Sequence, residues 1–257
     1  MKISVLASGS KGNSSFISFK SANILIDVGI SYKSLKAKLE ELDISIQSIN
    51  YVFITHTHKD HILGLKNLAK NTNIKVIVTK NMYEEISSLV SEDKIEIIEE
   101  KFTKDSLEVE VIKGSHDSDE VSMFVFKEVD KELAYVTDTG YININNHKKL
   151  ENKDVYLFES NHDVEMLMNG RYPHHLKRRV LSDEGHLSNE MATKYLCKFV
   201  GEKTKAIFLI HLSEKNNTPE IAFTTLKEGL LKAQKKVDKI IISDYSSITE
   251  VLEIWSK

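Results

Sequence analysis

The sequence predicts a mixed α/β protein. Apolar runs of strand length alternate with amphipathic helical stretches from end to end, and the earliest strands are joined by tight turns. The turns argue against a purely parallel, doubly wound sheet, which needs a crossover between successive strands. Residues 2–6, 15–19 and 23–27 read as strands, with turns at 9–13 and 20–22. Ser31 is placed to cap a helix that carries Leu35, Leu39 and Leu42 on one face. Residues 51–55 form a short strand, followed by His56-Thr-His-Lys-Asp-His61 and a helix to about 70. A strand at 74–79 and a helix at 82–90 come next. Strands then follow at 95–98, 107–112, 121–126, 133–137 and 155–159. Ser188 caps a helix to about 200. The last elements are a strand at 206–211, a helix at 219–233 opened by Pro219, and a strand at 240–243.

Composition narrows the function classes. At 41% hydrophobic residues over 257 positions the chain can bury a core, which excludes intrinsic disorder. No linker-like or low-complexity segment interrupts it, so residues 1–257 read as one domain. The one cysteine, Cys197, excludes a disulfide framework and a cysteine-based zinc cluster. No apolar run approaches about 18 residues and no signal-peptide core develops, so a cytoplasmic protein with no membrane role is expected. The net charge of −3 gives no global signal for nucleic acid. The arginines are the exception to an even surface: Arg171, Arg178 and Arg179 lie together, in a stretch from Met166 to Leu181 without one acidic residue.

Ten histidines form the strongest signal. His56, His58, Asp60 and His61 follow an apolar strand and open a helix. Residues two apart in an extended segment point the same way, so His56 and His58 can share an ion. Asp60 and His61 turn the corner toward a second ion. His116, Asp138 and His211 are each the first polar group after an apolar strand, so all can converge on one sheet edge. Taken singly, Asp138 can equally belong to a turn and His211 to a strand end. Imidazole and carboxylate donors suit zinc, manganese or iron.

These residues, with Asp27 in Leu-Ile-Asp-Val-Gly, resemble the metallo-β-lactamase superfamily in order along the whole chain. The resemblance implies an αββα four-layer sandwich of two mixed sheets, with helices on the outer faces and two divalent metal ions at the sheet edges. It assigns His56, His58 and His116 to one ion and Asp60, His61 and His211 to the other, with Asp138 between them. Asp27 becomes a support for the histidine loop.

Further motifs select among the superfamily's hydrolases. Glu159-Ser-Asn-His162-Asp and Gly185-His186-Leu-Ser-Asn189 place a carboxylate and an imidazole beside the metals, a pair suited to protonating a departing alkoxide. A structural glutamate and a helix-start histidine are the plainer reading. The pair resembles that of the tRNase Z branch. Ser8-Gly-Ser-Lys-Gly-Asn13-Ser, Tyr172-Pro173, Leu176-Lys-Arg-Arg179 and His211-Leu-Ser-Glu-Lys-Asn-Asn-Thr-Pro-Glu220 add a resemblance to the YycJ/WalJ family of bacterial 5′→3′ DNA exonucleases. The chain departs from that pattern at Lys11 and at His174-His175. The resemblance implies phosphodiester hydrolysis: a metal-bridging hydroxide, oriented by Asp60, attacks phosphorus, and His186, held by Glu159 with His162 nearby, protonates the leaving oxygen. Arg171, Tyr172, Lys177, Arg178 and Arg179 are the expected contacts to DNA, with RNA as the alternative polymer. Ser8, Ser10 and Asn13 are expected to offer groups to a phosphate; an ordinary hairpin turn is the plainer reading there. A thioesterase or lactonase on the same metals is the rival activity. Monomer and homodimer both remain open.

Overall fold

A computed structural model describes residues 1–118, 120–244 and 247–254. The chain runs twice through one pattern, an antiparallel meander continued by parallel strands. In the first pass β1 (Lys2–Ala7), β2 (Ser14–Ser18) and β3 (Asn23–Ile26) form the meander. β4 (Tyr51–Phe53), β5 (Lys75–Thr79) and β6 (Ile95–Ile98) then add in parallel. Helices α1 (Tyr32–Glu40), α2 (Lys59–Ile62), α3 (Leu65–Asn71) and α4 (Tyr83–Ser87) make the crossovers that parallel pairing requires. In the second pass β7 (Lys101–Lys104), β8 (Leu107–Lys113), β9 (Ser122–Glu128) and β10 (Lys131–Val136) are antiparallel. β11 (Val155–Glu159), β12 (Ala206–Ile210) and β13 (Lys239–Ile242) continue in parallel from β10. Between them lie α5 (His147–Leu150), α6 (Val164–Asn169), α7 (His174–Val180), α8 (Asn189–Phe199) and α9 (Pro219–Lys232). A last strand, β14 (Leu252–Glu253), pairs with β1 and completes the first sheet.

Three apolar clusters separate four layers. Between the sheets lie Ile3, Ile24 and Phe53 from one side and Phe124, Phe126 and Phe208 from the other. Leu35, Leu39, Leu65 and Leu68 fix α1 and α3 on the outer face of the first sheet. Leu196, Phe199, Leu226 and Leu230 fix α8 and α9 on the second. The αββα sandwich expected from the resemblance is therefore the observed fold. β11 and β12 are buried along their whole length, because helices cover one face and the opposing sheet the other.

The expected caps form: Ser31 accepts from Ser34 N, Ser188 from Met191 N, and Thr218 precedes Pro219 as the cap of α9. Several boundaries differ. The helix expected to run to about 70 breaks at Gly64, whose N–H donates to Val28 O at 2.9 Å instead of continuing one rod. A Cβ at Gly64 would lie 2.2 Å from Ile30 O, so that approach requires glycine. The helix expected at 82–90 shortens to α4, where the Ser87 and Ser88 hydroxyls bond back to Glu84 O and Glu85 O. β7 and β14 were not expected, being a polar edge strand and a two-residue pairing. Nor were α5, α6 and α7, which are short and carry no clear apolar stripe.

The two sheets are also tied at the edge where β3 and β10 begin. Glu128 accepts from Lys20 N and Ser21 N in the first hairpin, from Ser21 Oγ, and from Ser106 Oγ. Burial raises its carboxyl pKa, but these donors outweigh burial and hold it below the usual value of 4.5. A depressed folded pKa stabilises the fold above the unfolded value and is lost as pH falls through the folded one. Glu128→Gln should therefore lower stability at pH 7, by about 1.5–3 kcal/mol for lost charged hydrogen bonds, and flatten the acid limb of a stability profile. Thermal melts at pH 7 and pH 3 read both. Phe53 meets Phe102, Phe124 and Phe126 edge-on at 5.4, 5.6 and 5.1 Å. Phe53→Ala should cost about 3–5 kcal/mol in denaturant unfolding.

Candidate metal centre

The site begins with how six strands end. β3, β4, β8, β10, β11 and β12 run the same way within their sheets and release their C-terminal residues at one edge. The strands expected to end at 27 and 211 stop one residue sooner. Asp27 (φ 59°), Asp138 (φ 49°) and His211 (φ 57°) all take the left-handed conformation just past β3, β10 and β12. That conformation is unfavourable for residues other than glycine, and it ends strand pairing. Hydrogen bonds hold two of them: Asp27 N donates to Phe53 O at 2.9 Å, and His211 N donates to Ser8 Oγ at 2.6 Å.

The convergence brings the expected ligands together. His56, His58 and His116 each offer an atom, all within 4.8 Å of one another, and Asp60, His61 and His211 do the same. Asp138 joins both sides, with Oδ2 3.3 Å from His61 Nε2 and Oδ1 3.9 Å from His116 Nε2 and 3.4 Å from His211 Nδ1. A further group of the same kind unites Asp138 and His211 with Glu159 and His186.

Four of the five expected imidazole ligands are aimed by a partner on one ring nitrogen. Asp27 Oδ2 accepts from His61 Nδ1 at 2.8 Å. Thr55 donates its one hydroxyl proton to Asp27, so it accepts from His56 Nδ1 at 3.0 Å. His116 Nδ1 donates to Gly185 O at 2.9 Å, and His211 Nδ1 to Glu159 Oε1 at 3.0 Å. For His56 and His211 this leaves the Nε2 lone pair for a ligand, the arrangement that metal-binding histidines require, while His61 Nε2 lies 3.0 Å from Asn13 Nδ2 and His116 Nε2 3.1 Å from Asp117 Oδ1. His56 Nε2 and His211 Nε2 are buried and have no hydrogen-bond partner. Such atoms are costly inside a protein, and a divalent cation satisfies both. The nitrogen and carboxylate donors therefore fit divalent metal ions.

Electrostatics agree. Burial, reinforced by neighbouring histidines, keeps His56 well below its usual pKa, and burial lowers His116; neutral imidazole is the ligating form. Burial opposes charge on His211 too, but Asp138 and Glu159 overcome it and lift its pKa to about 9. Carboxylates that hold a proton there will also hold a cation in its place. Burial disfavours an ionised Glu159, yet His186 and His211 hold it down at about 2.

Glu159 is fully buried and serves two histidines. Its Oε1 accepts from His186 Nδ1 at 2.7 Å as well as from His211, and its Oε2 accepts from Thr139 N at 3.0 Å. His162, expected beside this pair, is buried with neither ring nitrogen hydrogen-bonded, and burial lowers its pKa to about 4. The other expected contacts divide. Arg171, His174, His175, Arg178 and Arg179 are exposed, the last four on α7, with Tyr172 just before the helix. Lys177 donates to Met168 O at 2.6 Å. Arg179 pairs with Asp117, whose Oδ1 lies 3.1 Å from His116 Nε2, so α7 is tied to the ligand loop. In the Gly/Ser loop, Ser10 is exposed, but Ser8 and Asn13 turn inward. Ser8 bonds His211, and the Asn13 amide bonds Gly9 and lies 3.0 Å from His61 Nε2, so both pack behind the ligands. The orienting roles of Thr55, Thr139 and the Gly185 carbonyl are not readable from the sequence, because a threonine or a backbone carbonyl carries no chemical signature there.

Comparison with known proteins fits this geometry. A family described as the β-lactamase superfamily domain matches residues 22–212. The exodeoxyribonuclease YycJ of Bacillus anthracis is 35% identical over 235 residues, covering 90% of this chain and 89% of that protein. The exodeoxyribonuclease WalJ of Streptococcus pneumoniae serotype 2 is 36% identical over 239 residues, with the same coverage. Among solved structures, the metallo-β-lactamase fold protein YhfI of Bacillus subtilis superposes with a TM-score of 0.72 at 15% identity, over 97% of this chain and 99% of that one.

If Asp27 aims His61 as described, Asp27→Asn should weaken metal binding about 10–100-fold, while an asparagine still tolerates the left-handed backbone. Calorimetric titration of chelator-stripped protein with Zn²⁺ measures this. Unchanged affinity would remove Asp27 from the site.

Proposed function

This chain belongs to the metallo-β-lactamase superfamily, in its YycJ/WalJ branch, and from that premise we propose that it is a two-metal 5′→3′ exodeoxyribonuclease of the cytoplasm, with residues 1–257 forming one catalytic domain. His56, His58 and His116 hold one ion, Asp60, His61 and His211 the other, and Asp138 lies between, with zinc or manganese as the ions the donors suit. Bound there, the ions supply Lewis acidity to the phosphate and activate water for attack.

The protein's own groups do the rest. Asp60, with its side chain 28% exposed at the rim, orients the attacking water. Asp27, Thr55 and Gly185 keep the imidazoles in one tautomer, so no reorganisation is needed when charge develops. Arg171, Lys177, Arg178 and Arg179 bind the phosphate backbone, and Tyr172 stacks on a base. Ser10 adds a donor at the loop edge. No other expected contact from that loop is needed.

The observation that carries the reading is the shared Glu159 oxygen. One buried carboxylate fixes both a ligand, His211, and the partly exposed His186, whose Nδ1 it holds at 2.7 Å. His186 can then deliver a proton from Nε2 to the leaving oxygen, in register with the ions. A sugar alkoxide is a poor leaving group and needs that proton; a lactam or thioester depends on it less.

His186→Ala should slow cleavage of 5′-labelled DNA by about 10²–10⁴-fold. It should slow bis(p-nitrophenyl) phosphate, whose leaving group needs no acid, far less. Equal losses on both substrates would reject the acid. Parallel assays on linear duplex, single-stranded DNA and RNA with Mn²⁺ or Zn²⁺ test the polymer and the direction of attack.

A further inference from the structure

A cavity of about 350 Å³ opens where the loop after β8 meets the loop after β10, and its walls include Lys113, Ser115, Tyr141, Asn145 and Asn146. Both loops belong to the metal centre: Ser115 precedes His116, and Tyr141 lies three residues beyond Asp138. They are locked to each other. Ser115 N donates to Thr139 Oγ1 at 3.0 Å, Gly140 N donates to Ser115 O at 2.9 Å, and Thr139 N is held by Glu159. Gly140 also packs against the loop that follows α7, since a Cβ there would lie 2.3 Å from Asp183 O. The cavity is thus built from the two loops that also carry His116 and Asp138, and one of them packs against the loop after α7.

Its chemistry sets it apart. Its lining holds one lysine, one tyrosine, several amides and no carboxylate. Two other cavities carry acids and no lysine or arginine, Glu214 and Asp244 in one and Glu84, Glu85 and Glu120 in the other, while a third balances Glu190 and Glu228 with Lys194 and Lys232. A polyanion is repelled by the two acidic cavities and accepted by this one. Tyr141 is 39% exposed, so its ring is accessible at the mouth of the cavity. Among the described residues no hydrogen bond or ion pair engages the side chains of Lys113, Tyr141, Asn145 or Asn146. α5 begins directly after Asn146, and its Lys148 is exposed.

We propose that this cavity is a subsite for a single strand of DNA at the metal centre, in which Tyr141 stacks on a base, Lys113 meets a phosphate, and Asn145 and Asn146 bond base edges. The assignment rests on the nuclease reading above and adds a second contact region to α7. Base stacking on an aromatic ring tolerates any sequence, which suits an enzyme that digests a strand progressively.

The test compares the full-length protein with Tyr141→Ala, Tyr141→Phe and Lys113→Gln. Binding is read by fluorescence anisotropy on a labelled single-stranded oligonucleotide with phosphorothioate linkages, which keep the negative charge and resist cleavage, at the labelled end, and turnover on bis(p-nitrophenyl) phosphate. Tyr141→Ala should weaken oligonucleotide binding about tenfold, and Tyr141→Phe should restore it. Lys113→Gln should reduce the slope of log affinity against log salt by about 0.7. All three should turn over the small ester as the wild type does, because it reaches only the ligands. Wild-type affinity in the variants overturns the subsite while leaving the nuclease reading intact. Equal losses on the oligonucleotide and the small ester also overturn it, in favour of a structural role for these loops. A wild-type protein that hydrolyses the ester but neither binds nor cuts DNA overturns the nuclease reading and the subsite together.

Discussion

Three buried carboxylates hold this site together. Asp27, Asp138 and Glu159 are each at most 2% exposed, and all three sit among imidazoles. An ionised carboxylate in a protein interior costs several kcal/mol unless it is compensated. Here the compensation comes from histidine N–H groups at Asp27 and Glu159, which fixes the nitrogen that His61, His186 and His211 turn toward them, and from the Thr55, Thr137 and Thr139 donors. The arrangement is mutual. The carboxylates are tolerable because the rings are present, and the rings are correctly turned because the carboxylates are present. Removing one member strands a charge rather than merely deleting a contact.

That cluster depends in turn on backbone that the strands alone would not adopt. Left-handed residues other than glycine cost about 1–2 kcal/mol each, and three of the site's residues take that conformation at strand ends. The fold sustains them through bonds to other elements: Phe53 O receives Asp27 N, and Ser8 receives His211 N. The sharp turn redirects a side chain that would otherwise continue the pleat. Both halves of the chain repeat a meander followed by parallel strands, so both sheets present strand ends to the same edge. Six strand ends that carry residues of the site meet there because two sheets pack face to face around Phe53, Phe124 and Phe126.

Charge is arranged locally as well. The whole chain is slightly acidic, at −3, yet α7 places His174, His175, Lys177, Arg178 and Arg179 on one short helix beside the ligand loop. Asp117 links this helix to His116 through Arg179. A polyanion therefore meets a positive rim and a centre that favours cations, whatever the net charge. The shared Glu159 oxygen fixes His186 and His211 relative to each other through one rigid group.

Much of this was legible in the sequence. His56, His58, Asp60 and His61 lie within six consecutive positions, so strand geometry alone puts two rings on one side. His116, Asp138 and His211 each follow an apolar strand, and that was enough to place them at a common edge. The αββα layering followed from the resemblance, and the order of strands and helices agreed with it. What the sequence did not determine were the orienting groups and the limits of elements. Thr55, Thr139 and the carbonyl of Gly185 act through hydrogen bonds between residues up to 69 positions apart, as in His116 to Gly185. Ser8 and Asn13 looked like open phosphate donors and proved to be buried supports, because the turn that carries them packs under the ligands. Gly64 broke a helix whose periodicity was continuous, since its neighbours across the loop needed the space. Local pattern fixes which residues can ligate, because residue type and strand register are properties of short segments. Only the tertiary structure decides which nitrogen faces inward and which polar group is spent on support, because those depend on partners supplied by the other sheet and its loops.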